Sequence, residues 1–143
     1  MLLPNLNLFE CPLIQASIIT NNLADLYFGY REIASKYSVE VRALVLRLLD
    51  TISEAMGIEY DYLNMFFGKH NQGMTINYYS PCPNPDLTLG LPGHSDTSGI
   101  VVLMQGNENG LQVLKNGKWV VVKHISNAFV INLGYQIQVI SKS

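Results

Sequence analysis

A histidine and an aspartate stand two residues apart in the middle of the chain, at His94 and Asp96. Side chains alternate along a β-strand with period 2, so this spacing predicts that both lie on one face of a strand. An imidazole nitrogen and a carboxylate oxygen on one face are two of the three protein ligands of a 2-His-1-carboxylate site for non-haem Fe(II). The third ligand would be a histidine from a distant strand. The pair alone is also compatible with two solvated loop residues.

The sequence before this pair predicts a helical scaffold. Between residues 23 and 56, apolar side chains recur at three- and four-residue steps, which is typical of a helix that packs one face against a sheet. Gly57 is expected to end this helix in the left-handed conformation. A shorter helix is predicted for residues 60–67. Residues 1–22 show neither helical nor strand periodicity, and we expect an irregular segment there.

From residue 74 onward the periodicity becomes that of β-strands. Residues 74–79 alternate and are rich in strand-forming side chains, and Asn116-Gly117 is the strongest two-residue signal for a β-hairpin. We predict strands in the segments 74–79, 99–104, 111–114, 118–123, 128–133 and 136–140. Short, regularly spaced strands are typical of a sandwich or jelly roll and not of βαβ units.

Composition limits the classes of function. The chain has 143 residues, 48% of them hydrophobic and 14% charged, as expected for one globular domain. A net charge of −2 without a basic run gives no support to binding of nucleic acid or an anionic membrane. Residues 1–22 lack the pattern of a signal peptide, and no stretch is long enough to span a bilayer. Cys11 and Cys82 are expected to be reduced thiols of a cytoplasmic protein.

Several motifs along the chain resemble those of one enzyme family. The motifs are Asn77-Tyr78-Tyr79-Ser80-Pro81-Cys82-Pro83, Leu89-Gly90-Leu91-Pro92-Gly93-His94-Ser95-Asp96, Gly110-Leu111-Gln112-Val113, Gly117-Lys118-Trp119-Val120 and Ala128-Phe129-Val130-Ile131-Asn132-Leu133-Gly134. In this order they resemble the plant Fe(II)/2-oxoglutarate-dependent dioxygenases, in the branch with flavanone 3-hydroxylase-like and downy-mildew-resistance-type salicylate hydroxylase-like enzymes. The resemblance runs from about residue 33 to the C-terminus.

The resemblance implies an α+β fold: an incomplete double-stranded β-helix (jelly roll) preceded by a long scaffold helix. The corresponding regions are an irregular segment at 1–22, a helical scaffold at 23–70 and a partial jelly-roll domain at 71–143. It implies that His94 and Asp96 bind Fe(II) and that Asn77 and Tyr79 contact the co-substrate 2-oxoglutarate. Ascorbate is the reductant it suggests, and the substrate would be a small aromatic or flavonoid-like metabolite that is hydroxylated or desaturated. His124 is interpreted as a loop residue because the family has no ligand at that position.

The sequence departs from the family pattern at its end. In the family a third histidine ligand and then an Arg-x-Ser follow further along, and this chain stops at Ser143 before either position. Tyr135 stands where the family has an acidic residue. We therefore expect a chain truncated before the third metal ligand, inactive as it stands, and monomeric if folded. The alternatives are a non-catalytic remnant, inert or binding a partner through open strand edges, and a β-sandwich binding module with a coincidental His-x-Asp.

Overall fold

A computed structural model of the protein describes residues 13–19, 28–69, 71–79, 81–84 and 90–142. The elements, in chain order, are β1 (Leu13–Ile19), α1 (Phe28–Ala55), α2 (Tyr62–Phe67), β2 (Gly73–Tyr79), β3 (Ile100–Leu103), β4 (Gln112–Lys115), β5 (Lys118–Val121), β6 (Val130–Leu133) and α3 (Tyr135–Ile140). They belong to two compact units, and the boundary between the units falls between His94 and Ser95. None of the helices in the described ranges is long and apolar enough to cross a membrane.

The long helix α1 ends where the sequence predicts. Gly57 has a φ of 71°, in the left-handed region that glycine adopts at low cost. Its N–H donates to the carbonyl of Glu54 at 3.0 Å, and the N–H of Ile58 donates to the carbonyl of Ser53 at 3.2 Å. These two bonds form a Schellman motif, which satisfies carbonyls that the end of a helix leaves without partners. The prediction for Gly57 is confirmed.

Helix α2 packs against the C-terminal half of α1 through a buried hydroxyl. Ser53 donates its Oγ–H to the carbonyl of Leu49 at 2.9 Å and accepts the N–H of Leu63 at 3.2 Å. Leu49 and Leu63 are themselves buried. The serine therefore supplies a partner for a backbone donor at the start of α2, which would otherwise be buried without one.

The strand that contains the first family motif, β2, lies in the same unit and pairs with β1. The pair is antiparallel, with Leu13 opposite Tyr79 and Ile19 opposite Gly73. The prediction that residues 1–22 are irregular is therefore wrong for residues 13–19, while residues 1–12 and 20–22 lie outside the described part of the chain. Residues 13–19 lack the alternation of a typical strand in their sequence. They form one because the backbone donors and acceptors of β2 pair with theirs.

The cysteine just beyond β2 differs from its predicted state. Cys82 is disulfide-bonded, so the prediction of a reduced thiol at this position is wrong. The prediction for Cys11 falls on a residue outside the described part of the chain. The sequence around Cys82 contains no local signal of a bond, because a disulfide depends on the distance between its two sulfurs in the fold.

The second unit contains two antiparallel strand pairs, β3 with β6 and β4 with β5. The β4–β5 connection is the predicted hairpin, and both turn residues have positive φ, 52° at Asn116 and 74° at Gly117. Positive φ at both central positions is the signature of a type I′ turn, which matches the twist of the flanking strands. All eight residues of β4 and β5 are exposed.

The last predicted strand, residues 136–140, is a helix instead. Residues Tyr135–Ile140 form α3, with Gly134 as its N-cap residue and Ile137 buried. The alternating, β-branched sequence favours a strand, but the first backbone N–H groups of α3 are bound by carbonyls of residues 96 and 98. Tertiary hydrogen bonds therefore override the local preference.

Candidate metal centre

The segment that carries His94 and Asp96 is not a strand. Residues 92–97 have no regular secondary structure, and β3 begins only at Ile100. The prediction that the two side chains share a strand face is therefore wrong. The backbone of this segment is bonded to the start of α3: the N–H of Tyr135 donates to the carbonyl of Asp96 at 2.7 Å, and the N–H of Gln136 to that of Ser98 at 3.4 Å.

The imidazole of His94 is held by a carbonyl two residues earlier. Its Nδ1 lies 2.9 Å from the carbonyl oxygen of Pro92. A carbonyl can only accept, so Nδ1 carries the proton in this bond, and the lone pair of the neutral ring is then on Nε2. Histidines that ligate metals are commonly oriented in this way, with the other ring N–H donated to a carbonyl or carboxylate. A neutral His94 ring held in this way could bind a metal through Nε2.

The carboxylate of Asp96 has a side-chain partner on β6. The Nδ2 of Asn132 donates to Oδ2 of Asp96 at 3.4 Å. Asp96 is half-buried, and its own carbonyl accepts the N–H of Tyr135. Both the backbone and the side chain of Asp96 are therefore bonded to the β6–α3 corner of the second unit.

A glycine makes this close approach possible. Gly134 is buried between β6 and α3, and its N–H donates to the carbonyl of Gly99 at 2.8 Å. A Cβ at this position would overlap the carbonyl oxygen of Ser98 and lie 3.1 Å from that of Asp96. The φ of Gly134 is −81°, which any residue adopts, so the requirement for glycine is steric.

The two residues predicted to contact 2-oxoglutarate lie on β2. Asn77 and Tyr79 are exposed and, being two residues apart on a strand, project to the same side. The ring of Tyr79 lies against the backbone of Gly90, where an added Cβ would be 2.9 Å from Cε1. Their role towards 2-oxoglutarate stays a prediction.

His94 and Asp96, the two predicted metal ligands, both lie in the described part of the chain, and their role as ligands stays a prediction. The backbone N–H of His124 donates to Oδ1 of Asn109 at 2.8 Å, and this bond holds the residue in place. No group of three His, Cys, Asp or Glu side chains within the described residues could hold a metal ion. The imidazole nitrogen of His94 and the carboxylate of Asp96 nevertheless fit Fe(II) in donor type, and each is oriented by a hydrogen bond.

Asn132 was not among the site residues predicted from the sequence. The available signal was a lone amide between apolar neighbours, in the run Val130-Ile131-Asn132-Leu133. Polar side chains in such strands nearly always have a hydrogen-bond partner, so the amide itself indicated that a polar group lies opposite. The sequence does not reveal that this group is Asp96.

Comparisons with known proteins agree on one enzyme family. Residues 70–143 match the family model of the 2OG-Fe(II) oxygenase superfamily. The chain is 54% identical over 113 residues to the Arabidopsis thaliana protein DMR6-LIKE OXYGENASE 1, covering 79% of this chain and 32% of that protein. It is 43% identical over 114 residues to flavanone 3-dioxygenase 2 of Oryza sativa subsp. japonica, covering 79% of this chain and 33% of that protein. The chain thus spans about a third of the length of these relatives.

Solved structures give the same fold. The crystal structure of JOX2 in complex with 2OG, Fe and JA superposes with a TM-score of 0.77 at 32% identity, covering 90% of this chain and 41% of that one. The crystal structure of a full-length Neurospora crassa protein in complex with alpha-KG and 5-formyluracil gives a TM-score of 0.74 at 18% identity, covering 88% and 45%. At that identity the second comparison supports the fold alone. The helices and strands described above are consistent with the fold of these oxygenases, and the part of it that they form is incomplete.

Proposed function

Because the chain belongs to the 2OG-Fe(II) oxygenase superfamily, we propose that His94 and Asp96 are two of the three protein ligands of an Fe(II) centre. The enzyme they serve would use 2-oxoglutarate and O2 to hydroxylate or desaturate a small molecule. The observation that carries this proposal is that each ligand already has an orienting partner, Pro92 for the imidazole and Asn132 for the carboxylate. When bound, Fe(II) would supply the redox chemistry that converts 2-oxoglutarate, O2 and the substrate into succinate, CO2 and the oxidised substrate.

The residues of this chain would contribute binding and orientation. His94 would donate the Nε2 lone pair, and the half-buried Asp96 would donate a negatively charged oxygen that favours a divalent cation. Asn77 and Tyr79 would hydrogen-bond 2-oxoglutarate, in agreement with their common side of β2. These four roles rest on the family motifs together with the placements described above.

The likeness to flavanone 3-dioxygenase 2 and to DMR6-LIKE OXYGENASE 1 supports a small aromatic or flavonoid-like metabolite of plant secondary metabolism as the substrate. Ascorbate as reductant, a cytoplasmic location and a monomeric state complete this proposal as predictions.

A second candidate is a non-catalytic remnant, inert or binding a partner. Two observations favour it: the described residues lack a third metal ligand, and the strands within them are paired only two by two, so they keep open edges. Open edges are templates for pairing with another chain. The remnant would not turn over 2-oxoglutarate, which distinguishes it from the enzyme.

The test is an anaerobic Fe(II) titration of the full 143-residue chain by calorimetry, with and without 2-oxoglutarate, together with visible absorbance for the charge-transfer band of an iron–2-oxoglutarate chelate. We expect saturable binding that His94→Ala and Asp96→Ala abolish. His124→Ala is the matched control and should bind like the wild type. Absence of saturable binding would favour the remnant, and loss of binding in His124→Ala would show that the ligand set is wrong.

A further inference from the structure

We propose that Asn132 is a positioning residue for the metal centre, which fixes the carboxylate of Asp96 in the orientation that a divalent cation needs. This inference rests on the proposed function, because it assigns Asn132 a role towards the ligand Asp96. It concerns residues of the second unit only, in which both side chains lie.

The first argument is the rigidity of the position from which the amide donates. Asn132 lies on β6, opposite Val101 in the antiparallel β3–β6 pair, and it is half-buried. Its neighbours Ile131 and Leu133 occupy positions in the same ladder. A side chain with two rotatable bonds on a paired strand is a donor of well-defined direction.

The second argument is that the backbone of Asp96 is already fixed by other bonds. Its carbonyl accepts the N–H of Tyr135 at 2.7 Å, and the adjoining segment approaches Gly134 closely enough to exclude a Cβ. The side chain of Asp96 is therefore attached to a backbone that these bonds hold in place. A hydrogen bond from Asn132 to Oδ2 restricts the rotation of this side chain and therefore gives the other carboxylate oxygen a defined direction.

The third argument is the chemistry of the donor. The amide N–H of asparagine donates to a carboxylate without bringing a positive charge, so it orients Asp96 without competing with a cation for the negative charge. A lysine or arginine at the same place would form an ion pair with the carboxylate. Residues that orient metal ligands in this way typically contribute about 10- to 100-fold to metal affinity.

The experiment measures Mn(II) binding to the full chain by the electron paramagnetic resonance signal of the free ion. The variants are Asn132→Leu, which fills the space of the amide, and Asn132→Ala, which leaves it open. Leu133→Ala is the control, since it changes an exposed residue of the same strand. We expect a roughly 10- to 100-fold higher Kd in both Asn132 variants and an unchanged Kd in the control.

Circular dichroism separates positioning from a merely structural role. A structural role alone would lower the melting temperature of the Asn132 variants and leave the Mn(II) affinity of the folded protein unchanged, and that result would overturn the proposal. Failure of both variants to fold would also overturn it, because the role would then be in folding. If the wild type itself shows no saturable Mn(II) binding, the proposed metal centre is wrong as well. If the wild type and the variants bind Mn(II) equally well, only the role proposed for Asn132 is wrong.

Discussion

Replacement of Gly134 by alanine should destabilise the β6–α3 corner severely. The φ and ψ of Gly134, −81° and 176°, suit any residue, so Gly134→Ala introduces no backbone strain. The new methyl group would overlap the carbonyl oxygen of Ser98, and it would lie 2.8 Å from the Ser98 carbonyl carbon and 3.1 Å from the Asp96 oxygen. The contacting atoms belong to the backbone, so the strain cannot be relieved by a change of rotamer.

The cost can be worked out from these contacts. Overpacking of this kind costs about 1–3 kcal/mol. Relief of the overlap would move the segment around Ser98 away from the start of α3. That movement would lengthen two hydrogen bonds, from Gly134 N–H to the Gly99 carbonyl at 2.8 Å and from Tyr135 N–H to the Asp96 carbonyl at 2.7 Å. Each is worth about 0.5–1.5 kcal/mol net, so the total loss is about 2–6 kcal/mol. This is a large part of the roughly 5–15 kcal/mol that stabilises an ordinary domain.

Amide hydrogen exchange followed by NMR measures this loss where it occurs, at the N–H of Tyr135, as a decrease in the free energy of local opening. The control is Gly110→Ala, because Gly110 is exposed and an added Cβ meets no atom of the described residues within 4 Å. Gly110→Ala should be neutral or stabilise by up to about 1 kcal/mol, through the reduced entropy of the unfolded chain. Equal protection of Tyr135 in the two variants would refute the steric argument.

Two further predictions concern the first unit. Ser53→Ala should lower the free energy of unfolding by about 1–3 kcal/mol, because the buried N–H of Leu63 loses its acceptor. Thr51→Ala removes an exposed hydroxyl and should change the free energy of unfolding by less than about 0.5 kcal/mol. Urea denaturation of the two variants measures both values. The negative charge of Asp50 raises the pKa of Tyr60, so Asp50→Asn should lower that pKa in an ultraviolet titration of the tyrosines, and an unchanged titration would contradict the assignment. Since the pKa in the folded state lies above the ordinary value, the stability linked to Tyr60 is present at neutral pH and is lost as the pH rises through that pKa.

The features that could be predicted from the sequence are those that a few neighbouring residues determine. The left-handed Gly57 at the end of α1 and the type I′ turn at Asn116-Gly117 both follow from the steric freedom of glycine and asparagine. The strand β2 follows from local alternation. Each of these predictions needed no knowledge of what lies across the fold.

The features that escaped prediction depend on partners distant in sequence. Strand β1 exists through its pairing with β2, and α3 begins where carbonyls of residues 96 and 98 receive its first N–H groups. The same bonds occupy the carbonyls of Asp96 and Ser98, which are therefore bonded to α3 and not to a neighbouring strand. The Asn132 amide and the Asp96 carboxylate are 36 residues apart, and a single sequence contains no signal that joins them.

The exposed β4–β5 hairpin also has an optical consequence. Trp119, the single tryptophan of the chain, lies on β5 opposite Leu114 and is 56% exposed. Intrinsic fluorescence therefore reports the surroundings of this hairpin, whereas the 28-residue helix α1 dominates the far-ultraviolet circular dichroism from the other unit. The two signals follow different parts of one molecule, so a blue shift of the emission without a change in ellipticity would record the covering of the hairpin alone.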